Sequence, residues 1–181
     1  LSIRRQRQMC IRDSISLMGG GIATGNWTPA AEFNILVDPE AAKIVFTSGV
    51  PITMAGLDVT ERALILPEDF ARVRALGNPV SDIVAQWLEF FYKFHRSIGY
   101  AGAPMHDPCA VMALIHPEIF TIRPMYVQVE TGGEYCRGTT VGDLLGFSGH
   151  APNADVLMDV DRSRFADLLV EAIGFYGEAK A

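Results

Sequence analysis

The sequence predicts an α/β fold built on a parallel sheet, and three observations predict it. Short apolar runs that end in glycine alternate with segments of helical periodicity. Proline stands in the first turn of three of those helical segments, at Pro39, Pro67 and Pro108. Hydrophobic residues make up 49% and charged residues 20% of the 181 positions, enough apolar surface for a core.

The first element is the apolar run Ile15 to Met18, which ends in Gly19-Gly20-Gly21. That pattern is a buried strand delivering the chain into a loop at its C-terminal end, where α/β sheets bind ligands. Asp38-Pro39-Glu40 supplies an N-cap, a proline at the first helical position and an acid in the first turn, and predicts a helix over 39–47. Residues 50–55, bounded by Gly49 and Gly56, predict a second strand, so 15–55 form a βαβ unit.

Pro67-Glu68-Asp69 opens a helix that stops at Gly77. Val80, Ile83, Val84, Trp87, Leu88 and Phe91 then recur at helical spacing and carry a second helix to about Arg96. The loop GYAGAPM at 99–105 leads into His106-Asp107-Pro108, which sets His106 and Asp107 at the entrance of a helix reaching about His116. Alternation over 125–129 and 156–160 predicts two strands with a glycine-containing connection, a small β addition. Phe165, Leu168, Leu169, Ala172, Ile173 and Tyr176 close the chain with an amphipathic helix. The sequence contains no repeat and no interdomain linker, and residues 15–181 are expected to be one partial domain.

Charge and composition exclude several functions. A formal charge of -6 does not suit a nucleic-acid polymer, whose phosphates need clustered Lys and Arg; a small neutral ligand fits better. Cys10, Cys109 and Cys136 show neither CxxC spacing nor the density of a disulfide scaffold, which points to a reducing, cytoplasmic compartment. The uncharged stretch from Ser14 to Ala31 is interrupted by four glycines, Asn26 and Pro29, so no membrane span is expected. Residues 1–14 carry four arginines without an apolar h-region; they do not read as a secretory signal and are expected to be a foreign, adapter-derived segment.

The glycine-rich run GGGIATGN fails as a phosphate loop, because Asn26-Trp27 stands where Lys and Ser or Thr are required, and Thr24 breaks the dinucleotide pattern. Asn26, Glu32 and Asn34, in GNWTPAAEFN, instead offer amides and one carboxylate suited to sugar hydroxyls; on residue types alone Asn26 could equally cap a turn and Glu32 be a solvated helix acid. His106 and Asp107 could supply a proton donor and a metal-binding carboxylate, or simply open a helix. Asp155, Asp159 and Asp161 lack the glycine and glutamate of a calcium loop and read as strand-edge and capping acids. With no GxSxG, and with Cys109 and His106 at one helix start, a serine or cysteine hydrolase is disfavoured.

LMGGGIATGNWTPAAEFNILVDPEAA, then PITMAGLDVT, then APMHDPCAVMALIHPEIF resemble, in content and order, the C-terminal half of the inosine–uridine-preferring nucleoside hydrolase family. The resemblance spans about residues 15–177 and implies a Rossmann-like α/β fold, bound calcium, and hydrolysis of ribonucleosides to ribose and free base. By that resemblance Asn26 and Glu32 hold the 5′-hydroxyl, Asn34 the 2′/3′-hydroxyl side, and Met18 lines the sugar pocket with Phe33 packed beneath. Asp107 is implied as a calcium ligand that also touches the ribose diol, and His106 as the proton donor to the departing base. Phe90, Phe94, His95, Arg96 and Tyr100 lie where family members take base contacts. The parent protein is expected to be a homodimer or homotetramer without membrane attachment.

The family's acidic DxDxGxDD strand end, source of further calcium ligands and of the water-activating aspartate, is not in this sequence. The chain is therefore expected to be an inactive fragment with an incomplete calcium site. The competing expectation is a non-catalytic α/β sugar- or nucleoside-binding module.

Overall fold

A computed structural model describes residues 14–178. The expectation for residues 1–14 falls, Ser14 apart, outside the described residues. Two compact units make up the chain, one from residues up to 60 and 106–159, the other from 61–105 and 160 onward.

The first unit holds a four-stranded sheet in the order β1 (Ile15–Met18), β2 (Ile52–Ala55), β8 (Ala154–Val160), β5 (Phe120–Met125). β1 and β2 are parallel with Met18 level with Ala55, and β2 and β8 are parallel with Met54 level with Val156. Parallel pairing sends the chain out of β1 and β2 at the same sheet end, so their two following loops meet there. β6 (Val127–Val129) and β7 (Thr140–Gly142) form a separate antiparallel pair. The strand expected near 156–160 thus lies inside the main sheet, and the small β addition is β6 with β7.

Helix α1 (Phe33–Val37) is followed by α2 (Pro39–Phe46), capped as expected by Asp38, whose Oδ1 accepts the Ala41 N–H at 2.9 Å. The core gathers Ile35, Phe46, Ile52, Met54, Met125, Val127, Val129 and Val156. Each large apolar side chain buried there contributes about 1.5–3 kcal/mol. A four-residue helix, α3 (Leu57–Thr60), follows β2, and α6 (Asp107–Ile115) packs on β1 and β2. The Ser16 hydroxyl donates to Ala110 O at 2.6 Å and ties α6 to β1.

The second unit contains β3 (Leu64–Ile65) paired with β4 (Ala103–Pro104), and the helices α4 (Pro67–Ala75), α5 (Pro79–Ser97) and α7 (Arg162–Glu178). α5 starts on a reciprocal cap: Asn78 Oδ1 accepts Ser81 N–H at 2.9 Å, and Ser81 Oγ accepts Asn78 N–H at 3.1 Å. Its buried stripe is Ser81, Ala85 and Leu88, whereas Ile83, Trp87 and Phe91, which mark the helical spacing, are exposed. Among the described residues no helix is long and apolar enough to cross a membrane.

Candidate active site

At the end of β1 three glycines turn the chain back across the sheet end. Gly20 has φ +74, and a Cβ there would lie 2.6 Å from Thr140 Oγ1 and 2.8 Å from Met54 Cε, so the turn requires glycine on both counts. The Gly20 N–H donates to Glu32 Oε2 at 2.9 Å. Gly21 is held from the far side by one buried hydroxyl: Thr140 Oγ1 accepts its N–H and donates to its carbonyl, both at 2.9 Å.

Glu32 is 3% exposed and is the N-cap of α1, accepting the N–H groups of Asn34 at 2.9 Å and Ile35 at 3.4 Å in addition to that of Gly20. It is not a solvated helix acid. Asn26 Oδ1 accepts the Phe33 N–H at 3.0 Å, and Asn34 Nδ2 donates to Met18 O at 3.3 Å with Met18 Sδ at 3.2 Å. Phe33 is 44% exposed and tilts against Trp27, ring centroids 5.0 Å apart. The structure therefore brings Met18, Asn26, Glu32, Phe33 and Asn34 into one hydrogen-bonded cluster on the end of β1.

His106 is the residue before α6 and half-buried, and its Nδ1 lies 2.9 Å from the hydroxyl of the fully buried Thr60 at the end of α3. α3 also reaches the glycine turn. The Leu57 N–H donates to Gly20 O at 2.8 Å, and the Asp58 carboxylate accepts the N–H groups of Ile22 at 2.7 Å and Ala23 at 3.0 Å. Asp107 is the first residue of α6 and exposed. Among the described residues no three His, Cys, Asp or Glu side chains gather to hold a metal ion. A calcium ion takes about six to eight oxygens, so Asp107 and its neighbours do not fit a complete calcium site.

Cys109, inside α6, is fully buried, and burial pushes its thiol up to about 12. That leaves it neutral, in keeping with a packing residue and not a nucleophile. Asp161 Oδ1 accepts the Arg164 N–H at 3.0 Å, the expected cap. In the second unit Phe90 and Phe94 are exposed on α5, His95 Nδ1 lies 3.1 Å from Phe91 O, and the Tyr100 hydroxyl donates to Glu61 at 3.0 Å.

Residues 7–167 match the family model described as inosine-uridine preferring nucleoside hydrolase. The chain belongs to that family. The match begins inside the stretch 1–14. The chain is 56% identical over 164 residues to the pyrimidine-specific ribonucleoside hydrolase RihA of Escherichia coli O9:H4 (strain HS), covering 90% of this chain and 53% of that one. It is equally similar to the RihA of Salmonella typhimurium (strain LT2), with the same coverage. Among solved structures, the purine-preferring ribonucleoside hydrolase from Gardnerella vaginalis superposes with a TM-score of 0.83 at 32% identity, over 96% of this chain and 57% of that one. The chain spans about half the length of the curated relatives it matches.

Asp58, Thr60 and Thr140 were not singled out from the sequence of this nucleoside hydrolase chain. Asp58 and Thr60 stand in PITMAGLDVT, and polar residues directly after a buried strand end were the available signal. Thr140 offered none, since it lies 119 residues from its partner Gly21.

Proposed function

We propose that this chain is the C-terminal part of a ribonucleoside hydrolase and forms the ribose side of its site. The observation that carries the reading is the cluster of Met18, Asn26, Glu32 and Asn34 on the end of β1, in a chain 56% identical to ribonucleoside hydrolases. Asn34, its amide held on Met18, accepts from a ribose hydroxyl on the 2′/3′ side. Asn26 donates to the 5′-hydroxyl oxygen, and Glu32 fixes the glycine turn against α1 while Oε1 accepts the 5′-hydroxyl proton. Phe33 packs beneath the sugar, and Asp107 addresses the diol.

The reaction adds the oxygen of water to the anomeric carbon. The C–N bonding pair leaves with the base, a proton reaches the departing nitrogen, and the water gives up one proton. His106 delivers the proton to the base, its ring steadied at Nδ1 by Thr60. The calcium that the family resemblance implies at Asp107 needs carboxylates beyond those described here, so no step is assigned to it.

Pyrimidine nucleosides are the proposed substrates, because the relatives at 56% identity are named pyrimidine-specific whereas the purine-preferring neighbour is 32% identical. The cysteine pattern favours the cytoplasm, and we place the full-length protein in a homodimer or homotetramer. Ribose and base release from uridine and inosine tests this. The full-length hydrolase is expected to favour uridine in kcat/KM, and the 181-residue chain to release neither base. A full-length protein inert toward both nucleosides would overturn the reading.

A further inference from the structure

We infer that Thr60 is a positioning residue for His106, and that α3 is the strut through which the ring is fixed relative to the glycine turn. Thr60 is fully buried, and its hydroxyl meets His106 Nδ1 at 2.9 Å across 46 residues of sequence. A histidine side chain has two soft torsions and two neutral tautomers; a hydrogen bond at Nδ1 restrains the torsions, and a hydroxyl that donates to Nδ1 leaves the ring's proton on Nε2. The partner must itself be rigid for that restraint to matter. α3 is fastened to the turn at three points, Leu57 N–H on Gly20 O and the Asp58 carboxylate on the N–H groups of Ile22 and Ala23. Gly20 in turn donates to Glu32. A continuous set of short hydrogen bonds therefore runs from Glu32, through the turn and α3, to the imidazole. Leu57, Val59 and Thr60 are all fully buried, so α3 is packed along its length where it presents the Thr60 hydroxyl to the His106 ring.

For turnover this inference rests on the hydrolase reading: holding the ring in one orientation keeps its proton aimed at the departing nitrogen. The test uses Thr60→Val, close in volume to threonine, and Thr60→Ser, which restores a hydroxyl. On the 181-residue chain, long-range proton–nitrogen correlation spectra of the imidazoles, taken where the rings are neutral, report the His106 tautomer without reference to activity. One tautomer is expected in the parent chain and in Thr60→Ser, and averaged signals in Thr60→Val. The same tautomer in the parent and Thr60→Val would overturn the inference.

In the full-length hydrolase, Thr60→Val is expected to lower kcat on uridine on the order of tenfold to a hundredfold, with KM little changed. p-Nitrophenyl riboside, whose leaving group departs without protonation, is expected to be hydrolysed as before, and Thr60→Ser to recover the uridine rate. An equal loss on both substrates would show a structural role only and overturn the inference. A parent enzyme inactive on uridine would defeat the hydrolase reading, while the tautomer spectra still decide the role of Thr60.

Discussion

Glu32 shows how a residue that looks like a ligand contact does its first work on the backbone. Its carboxylate accepts the N–H groups of Gly20, Asn34 and Ile35 in a nearly dry setting. Glu32→Ala strands the Gly20 donor and removes the cap of α1, so a loss of about 1–3 kcal/mol is expected in urea unfolding. An unfolding free energy within about 0.5 kcal/mol of the parent, as for an ordinary surface change, would contradict that role. Cys109 makes a second residue-scale point. Burial raises its thiol to about 12, whereas Cys136 is exposed. Alkylation of the native chain at mildly alkaline pH is therefore expected to modify Cys136 and spare Cys109 until the chain is unfolded, as peptide mass analysis can show.

At the scale of elements, capping chemistry made much of the fold legible. β1 falls at its expected bounds, and α2, α4 and α6 each carry proline in their first turn. α3 escaped notice because four residues do not establish a period, and α1 because its cap is a glutamate acting through a buried carboxylate, an uncommon N-cap. The candidate site was legible where GNWTPAAEFN and His106-Asp107 carry it. The hydroxyls that hold it in place were not, since long-range partners leave no local pattern.

Asp69 is the corresponding anchor of the second unit. Burial opposes ionisation of its carboxyl, yet the Leu66 N–H, Arg162 at 2.7 Å and Arg72 at 3.1 Å outweigh that cost and hold it below the ordinary aspartate range. Asp69→Ala is expected to destabilise by about 2–3 kcal/mol, less than a fully buried pair because both arginines keep contact with water. With its folded pKa depressed, the carboxylate stabilises the fold above the unfolded value, about 3.9, and this contribution is lost as pH falls through the folded pKa. Unfolding free energies of parent and variant should converge in acid, and a constant gap across that range would contradict the assignment.

On the scale of the whole molecule, the sheet end after β1 and β2 concentrates the polar chemistry of the first unit. Parallel register brings two loops together there, glycine permits the tight turn, and α6 is tied to β1 so that His106 stands at its start. Family membership was readable because three motifs occur in order; the coupling of turn, α3 and imidazole was not, because it is a property of the folded chain. The most direct test of the central claim is a comparison of kcat/KM for uridine, 2′-deoxyuridine and 3′-deoxyuridine between the full-length hydrolase and its Asn34→Ala variant. A ribose contact at Asn34 predicts a loss on uridine on the order of a hundredfold or more, because a site built to bind a hydroxyl is left with an unpaired group. It also predicts that discrimination against at least one deoxy substrate collapses in the variant. Discrimination against both that survives unchanged would place the ribose elsewhere.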